Sequence, residues 1–69
     1  MSDITIRIPV SPEQEEVIAL HLLKGTVLGM VEDERAWMLT HARNLYPGCT
    51  IKAADLDIGE GEWVLDIEV

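Results

Sequence analysis

The sequence contains little cysteine and histidine and few aromatic and basic residues. A single cysteine, Cys49, stands among 69 residues, so no internal disulfide forms, and we expect a reducing, intracellular setting. Phenylalanine is absent, and only five basic residues stand against thirteen acidic ones. No apolar run approaches the roughly 18 residues of a membrane span, and no basic-then-apolar leader opens the sequence. We therefore expect a cytoplasmic protein that has no membrane segment.

What the sequence does contain is typical of one small folded domain over residues 1–69. Its residues are 48% hydrophobic and 26% charged, which is a globular composition, although the length lies near the lower limit for a fold held by a core alone. The formal net charge of −8 repels nucleic acid and anionic membranes and attracts basic surfaces. A simpler interpretation is that this charge only keeps a small domain soluble.

The first part of the chain predicts a strand followed by a helix. Residues 3–10 alternate apolar and polar side chains, as a half-buried strand does. Ser11 suits a helix N-cap, Pro12 suits the first helical position, and Gln14 completes a capping box with Ser11. The helix body, residues 17–23, is apolar nearly all round, which indicates either deep burial or an interface with a partner.

The second part predicts another helix and a β-hairpin. Residues 26–31 are compatible with a short strand, a helical turn or a connector. A second helix is predicted from residue 32 or 33 to Tyr46. Residues 49–54 lead into a hairpin at residues 55–69, and the inward parity switches near Ala53-Ala54, which predicts a bulge or a kink there. The order β-α-α-β-β predicts an α+β fold with two helices packed on one face of a small three-stranded sheet. The first strand lies beside the last, in an orientation that the sequence leaves open.

The expected hairpin register pairs Ile58 with Trp63 across a loop at residues 59–62. Asp55 then lies directly opposite Asp66, and like charges across a ladder are destabilising. The outward face and loop carry six acids with no base among them, namely Asp55, Asp57, Glu60, Glu62, Asp66 and Glu68. Either these charges protect an edge strand from aggregation, or a basic partner docks on them.

A second acidic group, Glu32, Asp33 and Glu34, precedes the second helix. Acids favour a helix N-terminus, so helix capping explains this group as well as partner binding does. We count it as a supporting part of the predicted partner-binding surface.

The candidate metal and catalytic residues do not form a recognisable motif. Residues 55–59 resemble the start of a calcium loop but lack its third acidic ligand. His21, His41 and Cys49 are not spaced along the sequence as metal ligands are. A cysteine that follows a Pro-Gly turn, as Cys49 does, is usually a small apolar residue. The sequence therefore predicts no metal, no cofactor and no enzymatic activity.

In length, in its excess of acids over bases and in its hairpin at residues 55–69, the chain resembles small acidic phage-encoded inhibitors, notably anti-CRISPR proteins of the DNA-mimic type. The resemblance implies a non-enzymatic phage protein in the cytoplasm of a bacterial host cell. It implies that acidic side chains stand in for DNA phosphates on the basic surface where a Cascade-type complex binds DNA or reads its PAM. The partner would be a protein or ribonucleoprotein, with no direct nucleic-acid binding.

An alternative follows from the apolar helix. Residues 17–23 and 27–31 would then form a protein interface, and the chain would be a homodimerising adaptor or an antitoxin-like interaction module. Oligomeric mass separates this alternative from the first hypothesis.

Overall fold

A computed structural model describes residues 2–69, which form two helices and three strands in the predicted order. The bounds are β1, Asp3–Pro9; α1, Pro12–Lys24; α2, Glu34–Leu45; β2, Thr50–Asp57; and β3, Glu62–Glu68. The α+β fold class is confirmed. The strand order is β1-β3-β2, and both neighbouring pairs are antiparallel, which settles the orientation of the first strand.

The core lies between the inner face of the sheet and the two helices. Across the sheet, Ile8 and Leu56 flank Trp63, while Ile4 and Ile51 flank Ile67. The helices contribute Ile18, Met38 and Ala42 to the same buried cluster. Each strand places every second residue inward, so the outward residues of all three strands form a second, separate face.

The predicted start of α1 is only half right. Ser11 is the N-cap, and its Oγ accepts a hydrogen bond from Gln14 N–H at 3.2 Å. The fully buried Gln14 side chain does not accept a hydrogen bond from Ser11 N–H, as a capping box requires. Its Nε2 donates to Gly29 O at 2.9 Å and its Oε1 accepts from Val31 N–H at 2.8 Å. Residues 25–31 are therefore a connector, and Gln14 holds it across the start of α1.

The helix ends also differ from the predicted geometry at α2. Gly25 ends α1 in the left-handed region with φ 67°, as a glycine C-cap should. Asp33 is the N-cap of α2, also with φ 67°, and its side chain makes no capping hydrogen bond. α2 therefore begins at Glu34, one or two residues later than expected.

The predicted hairpin register is wrong by two residues. Leu56, and not Ile58, lies opposite Trp63, and Asp57 pairs with Glu62. Ile58 lies in the connecting turn instead of extending the strand. The predicted parity switch is confirmed, but its irregularity lies between Ile51 and Ala53, one residue earlier than expected. Because a shift of two preserves the alternation, the faces of the other residues stay as predicted.

Candidate functional site

The outer face of the sheet gathers most of the predicted acidic residues. Its side chains come from alternate positions of the three strands, and two cations, Arg7 and Lys52, lie among them. The face carries six carboxylates: Asp3, Asp55, Asp57, Glu62, Asp66 and Glu68. Six negative charges against two positive ones leave a strongly acidic surface. The exposed Glu60 adds a carboxylate at the hairpin turn.

Arg7 bridges two acids that lie directly opposite each other. Asp57 pairs with Glu62 across the ladder, and Arg7 Nη1 lies 2.8 Å from Asp57 Oδ2 and 3.3 Å from Glu62 Oε1. Glu60 N–H also donates to Asp57 Oδ1 at 3.2 Å. The Arg7 hydrogen bond, together with that N–H, holds the pKa of Asp57 below its usual value. The Asp57 hydrogen bond, followed by that of Glu62, raises the pKa of Arg7.

Lys52 has the same role at the other end of the sheet. Asp3 and Glu68 lie directly opposite each other, and Lys52 Nζ lies 3.3 Å from Asp3 Oδ2 and 3.9 Å from Glu68 Oε2. All three side chains are substantially exposed, so these ion pairs add little stability. The bulge places Lys52 where it can reach both acids, and sequence reasoning did not anticipate either cation bridge.

Three of the predicted acids have no such bridge. Asp66 accepts a hydrogen bond from Thr5 Oγ1 at 2.9 Å, and Asp55 and Glu60 are exposed. Within residues 2–69 none of the three forms an ion pair. The expectation that Asp55 faces Asp66 is wrong, since Asp55 lies opposite Val64. Repulsion between those two acids therefore does not argue for a partner.

Glu34 is not part of any exposed surface. It is 1% exposed, and its Oε2 accepts from Trp63 Nε1 at 2.7 Å and from Ser11 N–H at 3.2 Å. The prediction that placed Glu34 on the partner-binding surface is corrected, because its carboxylate ties α2 to β3 and to the start of α1. In a capping box the Ser11 N–H would donate to the Gln14 side chain. Here it donates to Glu34 instead.

The other members of that group line a pocket at the start of both helices. The pocket, which we call the acidic pocket, has a volume of about 200 Å³ and is lined by Ser11, Glu13, Glu32, Asp33, Glu34 and Trp37. Trp37 Nε1 donates to Pro9 O at 2.9 Å. Val10 N–H donates to Gly61 O at 3.0 Å, so the pocket and the hairpin turn lie at the same end of the molecule.

Sequence reasoning did not find this pocket. The position of Glu32 and Asp33 before the second helix is explained by helix capping alone, so it does not indicate a pocket. The missing information was that the connector returns the chain, so that both helices begin at one end. The buried Gln14 holds the returning connector through its hydrogen bonds to Gly29 and Val31.

The two histidines and the cysteine have structural partners or positions. His21 Nδ1 donates to Thr26 O at 2.6 Å, and His41 Nδ1 donates to Trp37 O at 2.9 Å. The His41 ring also packs against the Trp37 indole, with centroids 4.4 Å apart. Cys49 is buried in the core. Across residues 2–69, no group of three or more His, Cys, Asp or Glu side chains is arranged to hold a metal ion.

An exposed apolar surface covers the end of α1 and the connector. Leu23 is 81% exposed and Val27 is 91% exposed, although both are large hydrophobic residues. We call this surface the apolar helix end, and its members are Leu20, Leu22, Leu23, Val27 and Met30. The apolar body expected to be buried or shared is therefore largely unburied in the single chain.

Neither helix of the described chain is long and apolar enough to cross a bilayer. Comparisons with protein-family models, with curated proteins and with solved structures found no match for this chain.

Proposed function

We propose that this protein is a non-enzymatic inhibitor whose acidic surface binds the basic, DNA-contacting surface of another protein or ribonucleoprotein complex. The observation that supports it best is the outer sheet face, with six carboxylates against two cations on one layer of strands. The class-level resemblance to DNA-mimic anti-CRISPR proteins makes a Cascade-type CRISPR effector complex the partner to test. The protein would then act in the cytoplasm of a bacterial host.

The spacing of the charges suits a surface that normally binds DNA. Neighbouring strands lie about 4.8 Å apart, and alternate residues of one strand are about 6.6 Å apart. Duplex DNA carries about one charge per 1.7 Å of axis, and its binding proteins answer with Lys and Arg. Carboxylates on a hydrogen-bonded sheet can pair with those same groups without an ordering cost for the backbone.

The acids contribute differently to this surface. Asp55, Asp66 and Glu60 make no ion pair within the described residues, so they are free to bind partner cations. Asp57 and Glu62 must first exchange Arg7 for a partner cation. We therefore assign the leading role to the first three, with Asp57, Glu62, Glu68, Glu32 and Asp33 in support.

The test is displacement of a labelled target duplex from purified Cascade-type complexes at low salt. The chain itself should displace DNA, and Asp55→Asn with Asp66→Asn should weaken displacement by at least about tenfold, because two charge-assisted hydrogen bonds are lost. The matched control is Glu15→Gln with Glu16→Gln, which removes the same charge from exposed positions of α1.

Equal weakening by both double variants would show that only net charge matters, and the assignment of the outer face would then fail. Absence of displacement by the unmodified chain from every complex in the panel would contradict the proposed inhibitor.

The apolar helix end favours a second candidate, a homodimerising adaptor or antitoxin-like module. Burying one Leu or Val side chain contributes about 1.5–3 kcal/mol, and several such side chains are exposed together here. A second copy of the chain would cover this surface. Light scattering should then give twice the 7.7 kDa chain mass, and Leu23→Asp should return the single-chain mass. A single-chain mass for the unmodified protein at high micromolar concentration would remove this candidate.

A further inference from the structure

We propose that the acidic pocket binds a guanidinium group, the head of an arginine side chain on the partner. This inference rests on the proposed function in one respect, which is that the partner surface is basic. It adds the chemical group that enters the protein and the place where it enters.

The first observation is a buried carboxylate oxygen that has no partner. Glu34 Oε2 holds Trp63 and Ser11, whereas Glu34 Oε1 is buried and makes no hydrogen bond to any residue from 2 to 69. A buried acceptor without a donor is costly, and natural proteins rarely leave one. Glu34 lines the acidic pocket, so a donor that enters the pocket and reaches this oxygen would satisfy it.

The second observation is the charge around that oxygen. Glu13, Glu32 and Asp33 line the same pocket and are exposed. Among the residues that the structure describes, neither these three acids nor Glu34 takes part in an ion pair. Four carboxylates thus share one pocket without a counterion from the chain. A bound cation would relieve their mutual repulsion.

The lining of the pocket favours a guanidinium over a metal ion or an ammonium. In the described part of the chain no three acidic, His or Cys side chains are placed to coordinate a metal. Trp37 supplies an aromatic wall, on which a planar guanidinium can stack. Five N–H donors in a fork can serve several carboxylates at once, whereas an ammonium has only three.

The depth of the pocket sets the order of contacts. Glu13, Glu32 and Asp33 form an exposed rim, while Ser11 and Glu34 form a buried floor. An entering guanidinium meets the rim carboxylates first. Because Glu34 Oε1 is buried, contact with it requires the pocket to open further, and that contact would couple binding to the Glu34–Trp63 hydrogen bond.

The experiment is a titration of the ¹⁵N-labelled protein with N-acetyl-arginine methylamide, followed through the two indole N–H resonances. Both should shift, Trp37 because it lines the pocket and Trp63 because its indole donates to Glu34. The neutral citrulline analogue should cause no shift. Glu34→Gln keeps an oxygen for Ser11 and Trp63 but removes the charge, and should weaken arginine binding by at least about tenfold. Glu16→Gln, which lies outside the pocket, should leave it unchanged.

Several outcomes would overturn the inference. These are no indole shift with the arginine probe, an equal shift with citrulline, equal or tighter binding of the lysine analogue or of Ca²⁺, or undiminished affinity in Glu34→Gln. If Glu34→Gln fails to fold, Glu13→Gln with Glu32→Gln at the exposed rim makes the same test.

The titration needs no partner, so it is independent of DNA displacement. If the protein displaces DNA but does not bind the arginine probe, the outer face remains the proposed binding surface and the guanidinium site is refuted. If it binds the probe but does not displace DNA, the guanidinium site stands and the proposed inhibitor is refuted.

Discussion

Replacing Glu34 by alanine would leave two buried hydrogen-bond donors without their acceptor. The carboxylate accepts two hydrogen bonds, from Trp63 Nε1 at 2.7 Å and from Ser11 N–H at 3.2 Å, and both are buried. It thereby joins the centre of the sheet to the starts of both helices. No other acidic residue of the described chain is buried.

The expected cost follows from the donors that are left behind. A buried donor deprived of its acceptor costs about 1–3 kcal/mol, so two of them cost about 2–6 kcal/mol in Glu34→Ala. Small domains have total unfolding free energies near the low end of about 5–15 kcal/mol, so a loss near the upper end of the expected cost would unfold a large fraction of the protein. Glu34→Gln retains an oxygen for both donors and removes a buried charge, so its unfolding free energy should stay within about 1 kcal/mol of the original.

The assay is urea unfolding of both variants, monitored by tryptophan fluorescence and by far-ultraviolet circular dichroism. Alanine at position 34 should lower the midpoint strongly, and glutamine should not. A free energy for Glu34→Ala within about 1 kcal/mol of the unmodified chain would refute the role that we assign to this carboxylate.

Three further predictions concern charge, exposure and burial. Arg7 lowers the pKa of Asp57, so the stability from this pair is present above the unfolded pKa of about 3.9 and is lost as pH falls through the lower folded value. Below about pH 4, Arg7→Gln should therefore lose less unfolding free energy than the unmodified protein does. Parallel pH profiles of the two proteins would contradict this. Leu23→Asp should change the unfolding free energy of the single chain by no more than about 0.5 kcal/mol, measured by urea at low protein concentration, because that side chain is 81% exposed. Cys49 is 3% exposed, so a thiol reagent should label it only at the rate of unfolding, and fast labelling of the native protein would place it outside the core.

The fold could be predicted because its main signals are local. The alternation of residues 3–10 gave β1, and the Ser11-Pro12 pair gave the start of α1, since both depend on neighbours in the chain. The irregularity in β2 could be predicted from a change in inward parity, which a bulge or a kink produces. These signals establish the order of elements and the faces of most side chains.

The register and the buried acid could not be predicted, because they depend on contacts distant in sequence. Asp57 lies opposite Glu62, and Arg7, which comes from a third strand, bridges the two acids. Glu34 looked like an ordinary helix-start acid, and only the positions of Ser11 and Trp63, 23 and 29 residues away in sequence, make it a core residue. For the same reason, the acidic pocket has no signature in any single segment.

The central claim is that the acidic surface binds a basic, DNA-contacting surface. The most direct measurement is the affinity of the protein for an immobilised Cascade-type complex at about 50 and about 200 mM salt, with and without duplex DNA already bound. We predict binding that weakens by at least about tenfold over this range and that bound duplex abolishes. Binding that is insensitive to salt, or that persists on the DNA-loaded complex, would contradict the account.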